Sequence, residues 1–258
     1  MDLPPELIGE IISHLPLYDR RTLRSCSLIA RSWVYHAQKR LFETVVITRW
    51  THHGWVRGIP PGNLELLDHV RSFEYSFPYR EGPYRSYGIN SLVDYLLSFH
   101  KLKRLILSTE GLELDLPQSV KIFSAFRCSL SSLTLSCPLS SRTVITFVNC
   151  FPNLVDLKLH AIVTIADCKP VPPLSQPLRG KLSVIQFAPY DWEIFDRLSN
   201  PSPELDELVI SGFSRESKSH NRIVASYAGS IRYLRLLRGF ERKPLYTPEF
   251  STWSPGAS

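Results

Sequence analysis

At 258 residues and 43% apolar side chains the chain can bury one large core or two smaller ones, and disorder throughout is excluded. Thirty Lys and Arg against 24 Asp and Glu leave a charge of +6, scattered along the sequence, which suits an acidic partner without demanding one and lacks the clustering of a nucleic-acid footprint. Five cysteines (Cys26, Cys128, Cys137, Cys150, Cys168) without a C-x-x-C pair read as reduced, mostly buried thiols rather than disulfides or a zinc site, and with no secretory leader and no apolar run near ~18 residues the expected compartment is cytoplasm or nucleus.

The chain opens MDLPPELIGEIISHLP. On a helical wheel Leu7, Ile8, Ile11, Ile12 and Leu15 fall within about 140°, with Leu3 just outside, which predicts one helix with a broad apolar face. Pro4 and Pro5 suit a first turn whose amides lack partners, Glu6 complements the helix dipole, and Pro16 disfavours helical geometry at Leu15. Asp19 is placed to cap a second helix through Leu23 and Cys26. Ser27 is placed to cap a third, on which Ile29, Trp33 and Ala37 share a side. Three short helices bury too little to stand alone, because ordering a residue costs about 1.5 kcal/mol and a buried Leu or Ile returns roughly 1.5 to 3. The unit must lean on the rest of the chain, on a partner, or on both.

From Leu3 to about Phe42 the sequence LPPELIGEIISHLPLYDRRTLRSCSLIARSWVYHAQKRLF resembles an F-box, through Leu-Pro-x-Glu, aliphatic pairs, a second Leu-Pro and a following Trp. It departs from that family at Ala30, where cysteine is frequent, and at Arg20 and Arg21, where aliphatic residues are. F-boxes dock on the Skp-type adaptor of cullin-RING ubiquitin ligases. The resemblance implies that Leu3, Pro4, Ile8, Ile11 and Leu15 meet the adaptor, while Leu7, Ile12, Leu23, Ile29 and Trp33 form the internal core.

Behind this segment a seven-residue pattern, aliphatic-x-x-L-x-L-x or a near variant, recurs eight times, beginning at Phe42, Val70, Leu102, Leu130, Leu154, Leu182, Leu205 and Ile231. The fourth and sixth residues alternate with mostly polar ones, as a strand with one buried face requires. Intervening stretches such as NSLVDYLLSFHK, SVKIFSAFRCSL and SRTVITFVNCF have helical spacing. Strand and helix repeating about every 27 residues predict an α/β solenoid, with a parallel sheet on its concave side and helices on its convex side. Residues 42–239 resemble leucine-rich repeats in degenerate form, since Pro78, Glu110, Pro138, Ile162, Tyr190, Phe213 and Gly239 stand where the family's asparagine is expected. Such repeats behind an F-box are familiar in fungal proteins. The expected organisation is a three-helix F-box (1–41), a solenoid of about eight strands (42–239) and a tail (240–258) that either caps the solenoid or is disordered.

The third, fifth and seventh residues of each copy point away from the leucine core. Binding hot spots favour Tyr and Arg, so Tyr233 and Arg235, with Asp156, Lys158 and His160, are the candidate substrate contacts; in the sixth copy the same positions are Val184, Gln186 and Ala188. Two loops, RWTHHGWVRGIPPGN and FPYREGPYRSYG, read as surface insertions whose aromatics and arginines could also stack on nucleobases or grip an acidic peptide. His52 and His53 lack further ligands at metal spacing.

No glycine-rich phosphate loop, G-x-S-x-G elbow, H-E-x-x-H or paired-cysteine motif occurs, so no enzyme activity, metal or cofactor is expected. The resemblance implies a substrate-recognition subunit of a Skp-cullin-F-box ubiquitin ligase, partnered by the adaptor, through it a cullin, and a protein target. A non-degradative interaction scaffold and a nucleic-acid-binding repeat protein are the alternatives.

Overall fold

The computed structural model describes residues 3–16, 19–48, 67–77, 96–97, 99–109, 123–136, 141–160, 171–185, 192–211 and 218–237. The first insertion loop with its His52–His53 pair, the second beyond Phe77, the seven positions where asparagine was expected, and the tail lie outside them.

The N-terminal segment folds as α1 (Pro5–His14), α2 (Arg20–Ile29) and α3 (Arg31–Glu43). Pro5 occupies the first turn of α1, and Leu15, in extended geometry before Pro16, ends it. The Asp19 carboxylate accepts from the Thr22 amide at 3.1 Å, capping α2, and that hydrogen bond holds its pKa below the ordinary 3.8. Ser27 does not cap α3. It lies inside α2, its hydroxyl donating to the Arg24 carbonyl at 2.7 Å, and the chain breaks instead at Ala30, which is fully extended.

Ile8, Ile12, Leu23, Cys26 and Ala37 form a small buried core, with Leu15, Trp33 and Leu41 packed partly buried around it. The assignments of Leu7 and Ile8 are therefore reversed. The apolar arc of α1 divides, Ile8 and Ile12 turning inward while Leu7 and Ile11, one residue and about 100° away, turn outward. Ile29 is also outside the core. With the break at Ala30 it ends α2 rather than joining Trp33 on α3, and it is 63% exposed.

The remainder is one eight-stranded sheet, β1 (Thr44–Thr48), β2 (Ser72–Phe77), β3 (Arg104–Thr109), β4 (Ser132–Leu135), β5 (Asp156–His160), β6 (Arg179–Ile185), β7 (Glu204–Ser211) and β8 (Tyr233–Leu237), all parallel and ordered as in the sequence. Parallel neighbours need crossover connections. Helices α4 (Ser141–Cys150), α5 (Trp192–Leu198) and α6 (Lys218–Tyr227) supply three of them. Their apolar residues, including Phe147, Phe195 and Tyr227, join the inward residues of β1 to β7 in a second, larger core. An aromatic group fills its middle, with Phe123 edge-on to Phe147 at 4.7 Å and Phe126 stacked on Phe151 at 5.9 Å. Of the helix expected over SVKIFSAFRCSL, residues 123–124 are helical and 125–129 form turns, with 119–122 outside the described residues.

At the start of the strands, main-chain bonds step from repeat to repeat: Arg71 N to Glu43 O (2.9 Å), Lys103 N to Arg71 O (2.8 Å), Ser131 N to Lys103 O (2.9 Å) and Val155 N to Ser131 O (2.9 Å). Asn149 bridges to the next connection, donating to the Pro173 carbonyl (2.9 Å) and accepting from the Ser175 amide (2.8 Å).

The sixth repeat is out of step with its expected phase. Lys181, not Val184, pairs with Asp156 on one side and Glu207 on the other, and Val184 is buried. A shift of three residues, being odd, exchanges the two faces of the strand. The copy in fact begins at Arg179, evenly spaced between its neighbours; beside it the β6–β7 register skips Asp206, and Gly180, whose φ of 73° places it in the left-handed region, has no side chain to overlap the Val155 carbonyl oxygen.

No linker separates helices from sheet, since α3 ends at Glu43 and β1 begins at Thr44. The Tyr35 ring on α3 meets the His69 ring edge-on at 5.5 Å beside the joint. Burial, reinforced by Lys39, pushes the pKa of His69 below its ordinary 6.5. Of the described cysteines, Cys26 is buried and Cys150 partly so, whereas Cys128 is exposed, against the expectation for most thiols.

Candidate functional site

Two surfaces stand out. On the helices, Leu3, Leu7 and Ile11, spaced four residues apart, form an outward stripe, each a little under half exposed, with Pro4 exposed beside them. Leu28 (85% exposed) and Ile29 add apolar surface at the end of α2. Large aliphatic side chains left in water by a folded unit with its own core mark a docking surface more often than an accident of packing. Of the residues assigned to the adaptor, Leu3, Pro4 and Ile11 are thus accessible, Leu15 is half-buried against the small core, and Ile8 is sealed inside it. Of those assigned to the core, Ile12 and Leu23 are buried and Trp33 packs against them.

The second surface is the open face of the sheet. Register places Asp156 and Tyr233 in one row with Thr44, Ser72, Arg104, Ser132, Lys181 and Glu207. Lys158 and Arg235 fall in the next row, and His160 in the third. The five candidate contacts therefore share a face, and polar bonds join their neighbourhoods. Ser132 Oγ donates to Asp156 Oδ2 at 2.9 Å, Lys158 Nζ lies 3.4 Å from the same oxygen, and Ser136 Oγ lies 3.2 Å from His160 Nδ1. Two residues that the sequence did not single out complete the row. Glu207 lies between Lys181 Nζ (2.7 Å) and Arg235 Nε (2.6 Å), and the Lys181 hydrogen bond, with the charges of Lys181 and Arg235, holds its carboxyl below the ordinary 4.5 despite desolvation. Lys181 was hidden by the late placement of the sixth copy at Leu182. The alternation of Leu182 and Val184 was the signal that could have revealed it.

A three-helix unit with an outward aliphatic stripe runs directly into a parallel sheet whose open face is mostly polar, which makes the chain a helical module carried on an α/β platform. Residues 1–39 match the family model of the F-box domain. F-box domains in general bind Skp-type adaptors and serve the substrate-recognition side of ubiquitin ligases. No curated protein matches the chain. Among the described residues no helix is long and apolar enough to cross a membrane.

Proposed function

We propose that the chain is the substrate-recognition subunit of a Skp-cullin-F-box ubiquitin ligase. The helices dock on the adaptor through Leu3, Pro4, Leu7 and Ile11, with Leu28 and Ile29 extending the contact. The sheet is a degenerate leucine-rich-repeat solenoid that holds a protein target on its open face. The observation that carries the proposal is the outward Leu7–Ile11 stripe within the segment matching an F-box. Eight parallel strands in chain order, rows beginning at residues 44, 72, 104, 132, 156, 181, 207 and 233, support the repeat assignment. The chain itself performs no chemistry in the cytoplasm or nucleus. It raises the local concentration of target beside the transfer machinery, and the direct passage from α3 to β1 fixes where the target is presented. Reconstitution with adaptor, cullin and ubiquitin-charging enzymes tests this: a target bound by the chain gains ubiquitin only when the chain is present, and a bound target that is never modified makes the chain a scaffold instead.

A further inference from the structure

The charges on the open face are arranged in depth. Two of its carboxylates between β3 and β8 lie low, Glu207 with 16% and Asp156 with 26% of the side chain exposed, while Glu204, at the edge of the face, is paired with Arg179 at 3.2 Å. The cations stand above them, Lys181 at 37% and Arg235 at 68%. Both low carboxylates carry a cation from within the sheet, Glu207 facing Lys181 and Arg235, and Asp156 facing Lys158 while accepting from the Ser132 hydroxyl. The cations keep donors to spare. Arg235 engages Glu207 through Nε, and among the described residues its two terminal nitrogens have no partner, which leaves open the edge of the guanidinium that grips a carboxylate bidentately. Arg104, in the same row on β3, is exposed and makes no ion pair among the described residues. From β3 to β8 the face thus sets five cations (Arg104, Lys158, Arg179, Lys181, Arg235) against three carboxylates (Asp156, Glu204, Glu207), a net charge of +2.

We propose that this face takes an extended acidic peptide segment lying across the strands. This rests on the sheet being the target-binding surface, and names the target's chemistry. Five inter-strand steps of about 4.8 Å separate β3 from β8, roughly 24 Å, which an extended segment spans with about seven residues. Its carboxylates meet Arg104 at one end and the free edge of Arg235 at the other, passing over Lys158 and Lys181. A nucleic acid is disfavoured, because between β3 and β8 the described residues of the face offer only the rings of His160 and Tyr233, three strands apart, for stacking.

Fluorescence anisotropy of a labelled oligo-glutamate peptide against the full chain in complex with its adaptor tests the proposal, with an oligo-lysine peptide and an oligothymidylate as the other arms. The acidic peptide binds saturably, weakens with added salt, and loses about tenfold or more in affinity to the Arg104→Gln, Arg235→Gln double variant. Arg104 makes no ion pair among the described residues and Lys181 still pairs with Glu207 in the variant, so the variant stays folded and keeps its adaptor, its thermal midpoint lowered only by loss of the Arg235–Glu207 pair. Absence of saturable binding to the acidic peptide, equal binding by the variant, or tighter binding of the oligothymidylate overturns the proposal. Adaptor capture is read separately, so failure of the acidic-segment assignment is distinguishable from failure of the ligase assignment.

Discussion

Arg40 on α3 closes the end of α1, its Nη2 donating to the carbonyl oxygen of Ser13 at 3.2 Å. The same nitrogen lies 3.3 Å from the carbonyl of Leu15, and Nη1 pairs with Glu43 Oε2 at 2.6 Å. The last carbonyls of a helix have no partner within it, and a cation there also complements the helix dipole. Arg40→Ala is therefore expected to lower stability by about 1 to 2 kcal/mol in urea unfolding, and Arg40→Lys, which lacks the planar fork, to restore only part of that.

The divided face of α1 makes Leu7 and Ile8 a matched pair. Ile8→Ala empties a position inside the small core and is expected to cost about 2 to 4 kcal/mol. Leu7→Ala, at a site 46% exposed, is expected to change stability by less than about 0.5 kcal/mol. Thermal or urea unfolding of the two single variants checks both values, and equal losses would sink the inside-outside assignment.

At Gly180 the backbone conformation and the Val155 carbonyl both exclude a side chain. Gly180→Ala is expected to destabilise by more than about 2 kcal/mol and to disturb the β5–β6 pairing, read as faster amide exchange at Leu182 and Val184.

The alternation in copies such as LKRLILS and LVDLKLH was enough to place strands and faces, because leucine at the fourth and sixth positions leaves one register that buries them. It failed in the sixth copy, where Leu182, Ile185 and Phe187 imitate the pattern three residues late, while the true copy begins at Arg179, which no aliphatic residue marks. On α1 the breadth of the apolar arc concealed which half turns inward. Packing decides it: at Gly9 the absent Cβ would lie 3.0 Å from the His36 ring, so α3 approaches the Ile8–Ile12 side. The contacts of Glu207 with Lys181 and Arg235 join three strands, and no local pattern records which residues a register will bring together.

Glu207 carries a pH dependence with a definite sign. Its native pKa lies below the ordinary 4.5, so its contribution to stability is fully present above that value and is lost as pH falls through the lowered native one. The stability gap between the wild-type chain and Glu207→Gln is expected to be constant from about pH 6 to 7 and to close on acidification below about pH 4.5. Urea midpoints measured across that range check it. A gap that persists in acid would mean that the carboxylate is not stabilised by Lys181 and Arg235.

The central claim is that a folded helical unit presents Leu7 and Ile11 to another protein. Titrating purified Skp-type adaptor onto the full chain, wild type and Leu7→Asp, Ile11→Asp, measures it most directly. The wild type is expected to bind with a 1:1 stoichiometry and the variant to lose about a hundredfold or more in affinity while unfolding at the same temperature, since both side chains lie outside the core. Equal binding by the two chains would contradict the account.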